Sequence, residues 1–117
     1  MQQLTLERSS NGQVELLEVK GEIDIASASR LISGLNEAVG DCGHPVVVDL
    51  SAVEFIDSTG LALLLNAHRR LARREQGFAV VCGGGPVRRV FEITDMVETL
   101  GVRRDRETAV NAALGEG

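Results

Sequence analysis

Two apolar runs decide the class of fold open to this sequence: Val46-Val47-Val48-Asp49-Leu50 and Phe78-Ala79-Val80-Val81-Cys82. Neither alternates between a dry face and a wet one. Strands of that kind are covered on both faces, as central strands of a parallel sheet are. Between them Leu61, Leu64, Leu65, His68, Leu71 and Ala72 recur at helical spacing, so a helix joins the two strands. Strands joined through a helix run parallel, with right-handed crossovers.

The flanking segments extend this pattern. Leu4–Glu7 and Val14–Val19 read as short strands around Asn11-Gly12, a hairpin signal, and should pair antiparallel. Ala28, Leu31, Ile32, Leu35, Ala38 and Val39 mark a helix with Ser27 as its N-cap and Gly40 or Gly43 at its end. The second helix is expected to close at Gly77. Pro86 opens a third, with Val87, Val90, Phe91 and Thr94 inward. A short extended piece near Gly101-Val102 and a helix from about Arg106 to Leu114, capped by Asp105, complete the order. The expected fold is therefore α/β, a mostly parallel sheet of four to five strands with an N-terminal antiparallel hairpin and about four helices. The 117 residues, with 44% hydrophobic, make one domain, 1–117, able to bury a conventional core.

Charge and composition remove several functions. A net charge of −5, no Trp, no Tyr and three Phe argue against direct nucleic-acid binding, which needs a positive groove with stacking aromatics. The arginine pairs at 69–70, 73–74, 88–89 and 103–104 read as solvated faces and helix ends. No apolar run is long enough to span a bilayer and no signal core opens the chain, so a cytoplasmic location without membrane insertion is expected. Cys42 and Cys82 are too few for a thiolate metal site and read as reduced, at opposite ends of adjacent strands. No metal and no cofactor is expected. Gly83-Gly84-Gly85-Pro86 lacks the Lys-Ser/Thr ending of a phosphate loop and reads as a tight turn.

The unusual junction is Asp57-Ser58-Thr59-Gly60, between an apolar stretch and the second helix. One capping side chain suffices there: Asp57 or Ser58 can cap, and Gly60 lets the turn pack closely. The surplus of hydroxyls needs a further reason. A helix start tolerates an anion, so a phosphate on Ser58 would change the surface without unfolding the domain. The segments Gly21-Glu22-Ile23-Asp24, Ile56–Gly60 and Gly83–Gly85 should emerge together at the carboxyl edge of the sheet, where α/β sites are usually built. Enzymatic use of Ser58 is not expected. His68 lies about 15 Å further along the same helix, His44 sits at the opposite edge, and no Gly-x-Ser-x-Gly elbow is present.

Phe55-Ile56-Asp57-Ser58-Thr59-Gly60-Leu61 resembles the phosphorylation motif of the STAS-domain anti-sigma factor antagonists of bacteria. Gly21–Asp24, Val46–Leu50 and Val87-Arg88-Arg89-Val90-Phe91 resemble further family segments in the right order. Thr94-Asp95-Met96 departs, standing where many relatives carry a glycine. The resemblance implies partner switching. The unphosphorylated protein binds an anti-sigma factor serine kinase and frees the sigma factor, phosphorylation separates the pair, and a PP2C-type serine phosphatase reverses it. It implies Ser58 as acceptor, with Thr59 ranked below it, and Asp24, Asp57, Thr59 and Gly60 shaping the docking edge. The alternative within the fold is an accessory subunit of a lipid-transporter ATPase or sensory complex, without a phosphorylation cycle.

Overall fold

The computed structural model describes residues 3–40 and 43–115. The elements run β1 (Thr5–Ser10), β2 (Glu15–Ile23), α1 (Ala28–Val39), β3 (Val46–Ile56), α2 (Ser58–Ala72), β4 (Phe78–Val81), α3 (Pro86–Ile93), β5 (Val102–Arg103) and α4 (Arg106–Ala113). Five strands form one sheet in the order β1-β2-β3-β4-β5. The β1–β2 hairpin is antiparallel, and β2 to β5 pair parallel. The Asn11 side chain closes the hairpin by accepting from the N–H groups of Gln13 and Val14, both at 2.9 Å, while Gly12 takes φ +86°.

This strand order has a consequence for the layers. When strands advance in one direction with right-handed crossovers, every crossover helix falls on the same face. The helices α1, α2 and α3 accordingly share one core with Val46, Val48 and Leu50 of β3, through Leu31, Leu35, Leu64, Leu71 and Phe91. The alternate residues Val47, Ala79 and Val81 face the other way. They are covered by Ala109 and Ala113 of α4, which is free of any crossover.

A helix anchored mainly by alanines buries little area, and polar contacts add to its hold. The Arg106 guanidinium donates to Asp49 at 2.9 Å and pairs with Glu18 at 2.9 Å. Glu7, Glu18 and Asp49 stand in one register row across β1, β2 and β3, so Arg106 also relieves a line of like charges. Burial alone would push the Asp49 carboxyl up. The Ser51 hydroxyl and N–H, together with Arg106, outweigh that and hold it below the usual carboxylate range. At the far end of α4, the Ala113 carbonyl lies where a side chain at residue 77 would stand, which explains Gly77.

Gly77 therefore has a packing role and does not close α2. That helix stops at Ala72, and Glu75 takes the left-handed turn at φ +58°. Asp95 does the same after α3 at φ +59°, supplying the turn that a glycine would otherwise make, while Thr94 is exposed and bonds back to Val90. Ser27 occupies the N-cap position of α1 but makes no capping bond to the helix. Several arginines are clamps and not simply solvated. Arg74 donates to the Val39 and Gly40 carbonyls at the end of α1. Arg88 and Arg104 hold the Cys82 and Gly83 carbonyls in the β4–α3 turn at 3.2 and 3.1 Å. Burial pushes the Cys82 thiol up, as suits an unreactive cysteine; Cys42 lies outside the described residues. Among the described residues no helix is long and apolar enough to cross a membrane.

The largest departure from expectation is the length of β3. It continues to Ile56, whereas β4 pairs only with Val46–Asp49. Beyond Asp49, β3 has β2 alone beside it, in a two-stranded extension that ends at Ile23 and Ile56. Gly21, at φ +112°, bends β2 within this extension, where a side chain would meet the Gln3 carbonyl at 2.7 Å.

Removing the Arg106 side chain should leave Asp49 buried without its cation. Arg106→Ala is expected to lower stability by about 1–3 kcal/mol in urea unfolding at pH 7. The lowered carboxyl contributes stability above its unfolded value and loses it as pH falls through the folded one, so the difference between wild type and variant should shrink on acidification toward pH 3.

Candidate functional site

The tip of the β2–β3 extension carries the junction. Its last rung is the Asp57 N–H donating to the Ile23 carbonyl at 3.2 Å. Both chains then leave in the same way. After Ile23, the Asp24 carboxylate accepts from the Ser27 N–H at 3.0 Å; after Ile56, the Asp57 carboxylate accepts from the Gly60 N–H at 3.1 Å. Ile23-Asp24-Ile25-Ala26-Ser27 and Ile56-Asp57-Ser58-Thr59-Gly60 are thus two aspartate turns side by side, each leading into a helix. The parallel pairing ends at Ile23–Ile56, so Asp24 and Asp57 are the first residues beyond it, and Ile25 and Ser58 hold matching second places in their turns.

Each turn is locked by its own chemistry. The Ser27 hydroxyl donates to the Glu22 carbonyl at 2.9 Å and accepts from the Asp24 N–H at 3.0 Å, which is why it is not spent on capping α1. Asp57 is the N-cap of α2, in extended backbone, so Ser58 is the first helical residue and its hydroxyl is left for solvent. Ser58 is exposed, Thr59 half-buried, Gly60 buried. A side chain at Gly60 would collide with Ile23 and stand 2.9 Å from Ile56, so glycine is what lets the two turns close on each other.

The electrostatics are mostly acidic. Glu22, Asp24, Glu54 and Asp57 belong to the segments that form the tip, while Arg30 shares a cleft with Glu22, Asp24 and Ser27 and donates to the Leu4 carbonyl at 3.0 Å. A helix start offers the N–H groups of Ser58 and Thr59, which have no partner within the helix, and the positive end of its dipole. An anion carried on the Ser58 oxygen is therefore compatible with the helix, while the net charge of the segments around it is negative.

The structure brings together Asp24, Asp57, Ser58, Thr59 and Gly60 as expected. It does not bring Gly83–Gly85 to them. Since β4 ends opposite Asp49, that loop leaves the sheet well before Ile56: the β2 partner of Asp49 is Glu18, five residues before Ile23, a set-back of about 15–20 Å at strand rise. Gly85 there supplies φ +90° before Pro86, a turn as expected. Glu22 belongs to β2 itself. His68 packs edge-on against Phe78 at 6.1 Å, away from Ser58. Ile25 went unnoticed in the sequence and Ser27 was read only as the N-cap of α1, though the repeated Ile-Asp followed by a small residue three positions on was the available signal.

A family profile described as the STAS domain matches residues 6–109. The anti-sigma-F factor antagonist RsfB of Mycobacterium tuberculosis is 32% identical over 96 residues, covering 82% of this chain and 78% of RsfB. The anti-sigma-B factor antagonist of Staphylococcus aureus is 25% identical over 104 residues, covering 89% of this chain and 96% of its own. Among solved structures, an anti-sigma factor antagonist from Mycobacterium paratuberculosis superposes with a TM-score of 0.86 at 32% identity, covering 95% of this chain and 94% of that one.

Gly60→Ala is expected to cost about 1–3 kcal/mol through overpacking against Ile23 and Ile56, read by urea unfolding. Asp57→Ala should cost about 1 kcal/mol as a lost cap, with the two effects less than additive because both act on one turn.

Proposed function

The chain belongs to the STAS-domain family, and on that footing we propose that it is an anti-sigma factor antagonist working by partner switching in the cytosol. In the unphosphorylated state the tip of the β2–β3 extension docks on an anti-sigma factor that is also a serine kinase, and the sigma factor is freed. Transfer of the γ-phosphoryl group of ATP to the Ser58 oxygen releases the antagonist. A PP2C-type phosphatase returns the hydroxyl. The relatives named above support the role, since each is named for antagonism of an anti-sigma factor and none for a reaction.

One observation carries the assignment of Ser58: it is the exposed first residue of α2, with its cap already supplied by Asp57. Its hydroxyl is thus not needed by the fold and is open to a kinase. Thr59, half-buried, is less accessible and ranks second. A phosphate adds about −1.5 to −2 charges beside Asp57 and Asp24. The helix start accommodates that charge, whereas a partner closing over the tip must strip its water. Asp24, Asp57 and Gly60 act by holding the two turns in the shape the partner meets.

Incubating the protein with anti-sigma kinases and ATP should place phosphate on Ser58, located by mass spectrometry, and Ser58→Ala should abolish it while keeping kinase binding. Full-stoichiometry modification of that variant would refute the acceptor. Ser58→Glu should weaken binding at least tenfold (about 1.4 kcal/mol) with little change in melting temperature.

A further inference from the structure

Four large apolar side chains are exposed among the described residues: Ile25 at 80%, Ile93 at 76%, Phe55 at 47% and Ile32 at 40%. Two of them belong to the tip. Ile25 occupies, in its turn, the place that Ser58 occupies in the other, and the Asp57 N–H bond to the Ile23 carbonyl joins the starts of the two turns. Phe55 pairs with Glu22 on the last rungs of the extension, three residues before Ser58. Its exposure has a structural cause: Ile56 and Ile23 point into the core under α1–α3, so Phe55 and Glu22 face the other side of the sheet, where the α4 cluster lies further back, at Val47, Ala79 and Val81. The fold thus presents two apolar residues within a few residues of the acceptor hydroxyl, although burying them inward would have been the ordinary outcome.

We infer that Ile25 and Phe55 are the apolar anchors by which the tip holds the anti-sigma kinase, and that they determine its affinity for the unphosphorylated protein. This rests on the partner-switching reading and adds the source of its binding energy. The kinase is the occupant because Ile25 holds the place that matches Ser58 in the neighbouring turn, and Phe55 stands three residues before the hydroxyl that the kinase must reach. The acidic frame of Glu22, Asp24, Glu54 and Asp57 contributes little contact area, and interfaces draw most of their energy from a few buried apolar or aromatic side chains near the centre. The arrangement also explains why one phosphate suffices to release the partner. Seated against Ile25, a dianion would have to be dehydrated inside an apolar contact, where neither side chain can hydrogen-bond it.

The test compares four single variants for binding to a panel of anti-sigma kinases by fluorescence anisotropy, with phosphorylation of Ser58 as a second readout. Ile25→Ser and Phe55→Ser should each raise Kd at least about tenfold, and raise KM for phosphorylation while leaving kcat near wild type. Ile32→Ser on α1 and Ile93→Ser on α3, equally exposed but away from the tip, should change Kd less than about twofold. Circular dichroism should show all four folded, since each side chain is at the surface. Unchanged Kd for Ile25→Ser and Phe55→Ser, with wild-type binding intact, would overturn the inference and leave partner switching standing. Equal weakening by all four would overturn it too. If no kinase bound or modified the wild-type protein, the partner-switching reading would fall, and this inference with it.

Discussion

The hydrogen bond from the Asp57 N–H to the Ile23 carbonyl, with the missing side chain of Gly60 beneath it, is what the rest of the tip depends on. It ends the β2–β3 ladder at the same level on both chains. Two aspartate turns are thereby set next to each other, each closed by a carboxylate on the N–H three residues further on. Any Cβ at residue 60 would push on Ile23 and separate them. The polar surface that presents Ser58 is therefore held by an apolar contact under it, between Ile23, Ile56 and the backbone of α2.

That construction separates folding from switching. Asp57 supplies the cap, so the Ser58 hydroxyl contributes little to stability and is free to be modified. The helix start tolerates a new negative charge, whereas Asp57 and Asp24 close by add to it at the surface. Modification is expected to change the surface and leave the fold intact, which a reversible binding switch requires.

The opposite face of the sheet follows different rules. With all crossover helices on one side, α4 must cover the other by itself, and it does so with Ala109 and Ala113 and the Arg106 bridge to Asp49 and Glu18. Asp49 sits in the middle of a strand that otherwise reads as apolar. Its carboxylate accepts on one oxygen from the nearby Ser51 N–H and on the other from a guanidinium at the far end of the sequence. A partner 57 residues away is invisible to local patterning.

How much could be read in advance differs from element to element. Continuous β-branched runs at Val46–Leu50 and Phe78–Val81 determined the parallel sheet, because only strands covered twice tolerate such composition. Asn11-Gly12, Pro86, Asp105 and the Asp57–Gly60 junction acted within a few residues, so local chemistry was enough to place the hairpin and the starts of α2, α3 and α4. Tertiary structure alone decided how far β3 outruns β4, since Ser51–Phe55 neither alternates nor stays apolar, and its end is set by pairing with β2. It alone decided that Gly83–Gly85 stands back from the site, that Glu75 and not Gly77 turns the chain after α2, and that the turns after Ile23 and Ile56 start side by side. Those outcomes depend on which distant backbones meet, and no spacing along the chain records that.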